Sequence, residues 1–123
     1  MCLSPATGAH YAGWIYPDGS GSLLGSNILA IIKFSTWTSW GSDPAATNSV
    51  PLAYTRLSSV GTTNHIMKLT FNGSSIALYY DNLTTPALNA SDTAYSSGGV
   101  SVDMWTYTNT YTVSVGHVIV TSP

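Results

Sequence analysis

The segment at residues 64–81, NHIMKLTFNGSSIALYYD, alternates apolar and polar side chains on both sides of an Asn-Gly pair. Such a pair between two alternating runs predicts a β-hairpin, because both residues tolerate the positive φ of a type I′ turn. With Asn72 and Gly73 as the loop, counting outward fixes the register. The predicted pairs are Phe71 with Ser74, Leu69 with Ile76, Met67 with Leu78, and His65 with Tyr80.

This register predicts one apolar face of the hairpin, because side chains alternate between the two faces of a strand. The face that we expect to be buried carries Met67, Leu69, Phe71, Ile76 and Leu78. Lys68 falls on the opposite face, which we expect to point to solvent.

Further strand-like runs lie at residues 9–16, 27–34, 52–57, 99–104 and 112–121, separated by turn-rich segments such as PDGSGSLLGS and SDTAYSSGG. No stretch has the composition or the caps of a helix. This spacing favours an all-β fold, an antiparallel β-sandwich or jelly roll. We expect one domain over residues 1–123, with residues 1–8 a disordered or edge segment.

The last of these runs changes the parity of its apolar residues. Val113 and Val115 share one parity, and Val118 and Val120 share the other. A β-bulge near Gly116 would restore a single buried face, so we expect one there.

Charge is sparse: 7% of the residues are charged, with three basic side chains and a net charge of -2. This balance argues against binding to nucleic acid or to anionic lipid. No apolar run reaches membrane-spanning length, and the start MCLSPATG lacks the regions of a signal peptide. Eight Tyr and four Trp among many Ser, Thr, Asn and Gly are typical of a β-rich extracellular domain. We therefore expect a secreted or cell-surface protein, of which this chain is a mature piece or a fragment.

Several segments together resemble the laminin-G-like, concanavalin-A-like jelly roll. In that family a strand of the form W-H-x-L-x-L-x-F enters an N-G turn and leaves as I-x-V-Y-x-D-G; here residues 65–71, Asn72-Gly73 and residues 76–81 are similar. A G-G-I-x-L strand and a closing V-V-V strand of the family are similar to residues 98–104 and 118–120. The resemblance implies a jelly roll in which this chain has the later strands of the family and lacks the early ones.

A jelly roll without its early strands would have open sheet edges and uncovered apolar surface. Low charge gives little protection against association. We therefore predict a homo-oligomer, most simply a dimer formed by strand addition or swapping. The alternative is a monomer in which residues 9–16 and 27–34 close a smaller sandwich.

Catalytic motifs are weak. Glycosidases on this scaffold resemble E-x-D-x-E enzymes, and this chain has no Glu. A small ester or glycoside hydrolase is the main alternative function, with His117 or His65 as the base and Asp103, Asp81 or a Ser as partner. No G-x-S-x-G motif supports it.

If the chain binds a metal ion, we expect that ion to be calcium. Laminin-G-like domains often hold Ca²⁺ with Asp side chains from loops at the rim, and Asp81, Asp92 and Asp18 lie in or next to turns. An Asp in a turn also commonly caps its own backbone. No spacing of His or Cys indicates a zinc site.

Aromatic side chains supply the favoured functional hypothesis. Trp37 and Trp40 lie in STWTSWGSD, and Trp105, Tyr107 and Tyr111 lie in MWTYTNTYT. Flat rings beside polar side chains suit the apolar faces and hydroxyl edges of sugars. We therefore predict a non-catalytic carbohydrate-binding or adhesion module, with a polysaccharide or glycan as partner. A purely structural repeat unit is a third possibility.

Overall fold

The computed structural model describes residues 4, 6–20, 22, 24–36, 48–104, 110 and 112–122. These residues form six strands and no helix. The strands pair into two antiparallel sheets, with the orders β1-β2-β3 and β4-β5-β6. The predicted all-β class with antiparallel sheets is confirmed. The strands are β1 (His10–Tyr16), β2 (Ile28–Phe34), β3 (Ser49–Arg56), β4 (Met67–Asn72), β5 (Ser75–Tyr80) and β6 (Leu88–Ser91).

Five of the predicted runs correspond to β1 to β5, and β6 was not predicted because four residues are too few to show a period. The runs predicted at residues 99–104 and 112–121 are wrong as strands. Residues 112–122 contain no strand, and in 99–104 only Gly99 makes an isolated bridge. Strand propensity in these runs is not enough, because a strand needs a partner that offers hydrogen bonds.

The bulge also lies elsewhere than predicted. The β2-β3 register shifts between Ile31 and Ile32, which pair with Ala53 and Pro51 and leave Leu52 as the extra residue. Pro51 has no N–H to donate, so proline is tolerated at bulges and on edge strands, and β3 is an edge strand.

The β4-β5 hairpin forms, but its loop is Gly73-Ser74 and the predicted loop is wrong by one position. Asn72 pairs with Ser75, and Leu69 pairs with Leu78. Gly73 has φ 59°, whereas Asn72 and Ser74 are not among the residues with positive φ. This is the pattern of a type II′ turn, in which the first of the two loop residues has positive φ and is usually Gly.

The predicted face survives this shift, because moving the loop by one residue changes each partner by two and preserves parity. Ile76 and Leu78 are buried, and Leu69 and Phe71 are half-buried. Met67 is 44% exposed, so its predicted burial is wrong. Strand β5 is central in its sheet and β4 is an edge strand, which explains the difference.

Apolar side chains between the two sheets form the main core. One buried cluster joins the sheets and comprises Tyr11, Leu29, Ile31, Ile76, Leu78 and Leu88. A second covers the other face of the first sheet and comprises Ala12, Tyr16, Ile28, Ala30, Ile32 and Phe34. A Cβ on Gly13 would lie 2.9 Å from Cδ1 of Leu78, so the glycine lets β1 approach β5 closely.

Candidate functional site

The aromatic side chains predicted to bind sugar, Trp37, Trp40, Trp105, Tyr107 and Tyr111, lie outside the described residues. The candidate site that the structure does describe is a cleft along β1. It is open to solvent and has a volume of about 140 Å³. Its lining residues are His10, Ala12, Gly13, Trp14, Met67, Ser101, Val102 and Asp103.

Trp14 supplies the aromatic surface of the cleft. It is half-buried, and its ring lies 5.6 Å from the ring of Phe34 and 6.2 Å from that of Tyr16, measured between centroids. These neighbours hold the indole in place, which lowers the entropy cost of binding on its open surface. The sequence signal for this position was the strand predicted over residues 9–16, in which Trp14 and His10, four residues apart, lie on one face.

His10 forms the inner wall of the cleft. It is 6% exposed, and its ring stacks on the ring of Phe34, with 4.6 Å between centroids and 10° between planes. Its Nδ1 lies 2.6 Å from the carbonyl oxygen of Gly8. A carbonyl oxygen only accepts, so Nδ1 carries the proton of this hydrogen bond.

Asp103 and Ser101 supply polar atoms to the lining of the cleft. The hydroxyl of Ser101 donates to Oδ2 of Asp103 at 2.7 Å, and Asp103 is exposed. A carboxylate has about four lone-pair sites, so one such bond leaves acceptors for further donors. The cleft thus combines an aromatic ring with a hydrogen-bonding carboxylate and a hydroxyl.

The size of the cleft limits its ligand. At roughly 30 Å³ per water, its volume corresponds to about five waters. Pockets that enclose drug-sized molecules are several times larger. The cleft can therefore receive the face or the edge of a single small ring and cannot enclose a longer molecule.

A second polar cluster joins two residues of the predicted hydrolase set. Nδ1 of His65 lies 2.8 Å from Oδ2 of Asp81, and the backbone N–H of Ile66 donates to Oδ1 of the same carboxylate at 2.9 Å. Nε2 of His65 lies 2.7 Å from the carbonyl oxygen of Val60 and 3.4 Å from Oγ1 of Thr63.

This geometry makes His65 a hydrogen-bond donor on both sides. The carbonyl of Val60 only accepts, and the Asp81 carboxylate accepts as well, so both ring nitrogens carry protons. The hydrogen bond to Asp81 is the largest cause and raises the pKa of His65; burial lowers it by less than that, and the bond to Val60 raises it further. The hydrogen bond from His65 lowers the pKa of Asp81. No lone pair is left on the imidazole for a general base, although Thr63, His65 and Asp81 are spaced like a triad.

Asp18 also forms hydrogen bonds with the loop that contains Val60. It accepts from the hydroxyl of Ser59 at 2.5 Å and from the N–H groups of Val60 and Gly61, each at 2.9 Å. These bonds lower the pKa of Asp18, that of Ser59 most. His65, Asp81 and Asp18 together therefore hold residues 59–66 in place.

The other residues predicted for a hydrolase lie apart from this cluster. His117 is exposed in segment 112–122, where no hydrogen bond or ion pair to it occurs within the described part of the chain. Asp103 belongs to the cleft. The structure thus brings together His65 and Asp81 and does not add His117 or Asp103 to them.

Asp92 lies in a third setting. Lys33 and Tyr11 donate to its two oxygens at 2.6 and 2.5 Å, and the N–H of Ala94 donates at 2.8 Å. The carboxylates of Asp18, Asp81 and Asp92, predicted as calcium ligands, are each occupied by protein donors. No three His, Cys, Asp or Glu side chains converge on a metal position in the described ranges. Calcium binding stays a prediction without a located site.

Comparisons of the chain with protein-family models, with curated proteins and with solved structures give no match. Over the residues that the structure describes, no helix has the length and apolar character needed to cross a membrane.

Proposed function

We propose that this chain is a non-catalytic carbohydrate-binding module of a secreted or cell-surface protein, acting in binding or adhesion, with its strands arranged as a jelly roll. The observation that supports it is the cleft along β1, where the ring of Trp14 lies beside the hydrogen-bonded pair of Ser101 and Asp103. A sugar ring has an apolar C–H face and a rim of hydroxyl donors, which match these two kinds of surface.

The indole of Trp14 and the carboxylate of Asp103 would contact different parts of a bound sugar. A ring that stacks on the indole presents its hydroxyls sideways, where acceptors in the lining of the cleft can receive them. Hydrogen bonds to an ionised acceptor are stronger than those between neutral groups, so Asp103 would contribute most to orientation. An open cleft of this volume suits one residue of a polysaccharide, whose neighbours extend into solvent.

Absence of catalysis is part of the proposal. His65 donates from both ring nitrogens, and the carboxylate of Asp81 is held by His65 and the N–H of Ile66. Neither group is available in this arrangement to move a proton on a bound substrate.

Affinity electrophoresis in native gels that contain neutral glucans, mannans or galactans tests the proposal. We expect at least one polymer to retard the protein, without release of reducing ends on prolonged incubation. Ser101→Ala and Trp14→Phe should each weaken retention roughly three- to tenfold, the range for losing one neutral hydrogen bond or part of an aromatic contact.

Tyr54→Ala provides the matched control, because Tyr54 is an exposed aromatic on the edge strand β3, away from the cleft. It should leave retention unchanged. If no polymer retards the wild-type protein, the module does not bind carbohydrate and a purely structural unit becomes the better account. Release of reducing ends that is lost in His65→Ala would favour the hydrolase.

A further inference from the structure

Asp103 is the one Asp, Glu, Lys or Arg among the described residues that line the cleft. Its carboxylate is exposed and is oriented by the hydroxyl of Ser101. Hydroxyl groups of a ligand can donate to it, whereas a carboxylate or sulfate ester on a ligand would meet a like charge there.

No lysine or arginine of the chain compensates this charge. The chain has three such residues, and all of them are in the described part. Nζ of Lys33 pairs with Asp92 at 2.6 Å. Lys68 follows Met67 on β4 and so faces the other side of the sheet, where its Nζ donates to the carbonyl of Leu83 at 2.6 Å.

Arg56 is also committed elsewhere. Its guanidinium lies over Gly25, where a Cβ would be 2.8 Å from Nη2. Arg56 is the last residue of β3, at the opposite edge of the first sheet from β1. An anionic ligand in the cleft would therefore meet a carboxylate and no lysine or arginine side chain.

We infer that the cleft selects neutral saccharides and rejects uronic acids and sulfated sugars, with Asp103 as the residue that determines this specificity. The inference rests on the proposed function and adds the class of ligand to it. Two like charges about 4 Å apart in a solvent-exposed cleft repel enough to weaken binding roughly fivefold. The discrimination is electrostatic, so it must shrink as salt screens the charges.

Matched pairs of polymers test the inference: hydroxyethylcellulose against carboxymethylcellulose, and agarose against sulfated carrageenan. Retardation is measured at pH 8 for both members of each pair. We expect the wild type to bind the neutral member of a pair at least fivefold more tightly. Asp103→Asn should raise affinity for the anionic member by about that factor, and 0.5 M NaCl should reduce the difference.

Asn89→Lys is the control for net charge, because it makes the same change of one unit at an exposed position on β6, at the far edge of the second sheet from β4. It should leave the neutral-to-anionic ratio unchanged. Equal binding of both members by the wild type, or an equal gain in both variants, overturns the inference and leaves the proposed function standing. Failure to bind any neutral polymer overturns the two together.

Discussion

Asp92 shows how one side chain can join two sheets. It follows β6 in the second sheet and accepts from Tyr11 on β1 and Lys33 on β2 in the first. Burial by itself would raise the pKa of Asp92, but the hydrogen bonds from Lys33, Tyr11 and Ala94 outweigh it and lower the value to about 2. Burial and the same carboxylate raise the pKa of Tyr11 to about 12.

The lowered pKa of Asp92 predicts a particular dependence of stability on pH. An unfolded Asp titrates near 3.9, so the stabilisation is complete above about pH 4 and is lost as the pH falls through about 2. Asp92→Asn should lower the free energy of unfolding by about 2 kcal/mol at pH 7 and by much less at pH 2. Urea unfolding at both pH values measures this.

Asp103→Asn is the control for this measurement, because the Asp103 carboxylate is exposed and bonds only with Ser101 in the described structure. It should change stability little at either pH. If Asp92→Asn lowers the free energy of unfolding equally at pH 7 and pH 2, the assigned role of the ionised carboxylate is contradicted.

At the residue scale, the sequence singled out Asp92, Asp81, Asp18 and His65 as candidate site residues. It did not indicate which side chains they would form hydrogen bonds with. Lys33 lies 59 residues from Asp92 in the chain, and Tyr11 lies 81 residues away. Such contacts are set by sheet packing and leave no local pattern. Only the pair of His65 and Asp81 was within reach of the sequence, because both flank the same hairpin.

The β4-β5 hairpin is the element whose sequence signal was strongest. Alternation correctly indicated two paired strands and their apolar face. The alternation could not predict the position of the loop, because Asn-Gly favours a type I′ turn and the overlapping Gly-Ser favours a type II′ turn. A choice between two overlapping turns depends on how the strands pack against the other sheet.

The observed loop makes a prediction that separates the two turns. Asn72 is a strand residue paired with Ser75, so Asn72→Val should change the free energy of unfolding by less than about 0.5 kcal/mol. Gly73 has φ 59°, so Gly73→Val forces a β-branched residue into the left-handed region and should cost about 2 kcal/mol or more. Thermal and urea unfolding of the two variants measure this. Equal damage from both substitutions would indicate the Asn72-Gly73 loop instead.

The molecule as a whole exposes an unusual amount of apolar chain at residues 112–122. Val118, Ile119 and Val120 are 55%, 83% and 65% exposed. No sheet in the described residues uses this segment, and the net charge of -2 opposes association only weakly. These features support the predicted dimer, in which strand addition would cover such a segment.

Light scattering coupled to size exclusion measures the mass in solution. We expect twice the chain mass of 13.0 kDa, and Ile119→Asp should shift the equilibrium toward the monomer because it places a charge in the apolar segment. Gly99→Ala is the control, since a Cβ there would meet no atom within 4 Å. A single species of 13.0 kDa at high protein concentration would contradict the dimer.

The candidate site combines residues that are far apart in the sequence, and a sequence pattern does not predict such a combination. Loop aromatics were the expected platform, whereas the described cleft uses Trp14 from a strand. Trp14 meets Ser101 and Asp103 only because the chain folds back beside β1, about 90 residues later in the sequence. Composition predicted a sugar as the ligand, which stays a prediction, and the fold supplied the combination of side chains in the cleft.

The most direct test of carbohydrate binding at this cleft is a titration of ¹⁵N-labelled protein with a soluble neutral oligosaccharide of the polymer that retards it best, followed by two-dimensional NMR. We predict saturable shifts at the indole N–H of Trp14 and at the amides of Ser101, Val102 and Asp103, with no change at Tyr54 on β3. Saturable shifts confined to other parts of the chain, or no shifts at millimolar ligand, would contradict the account.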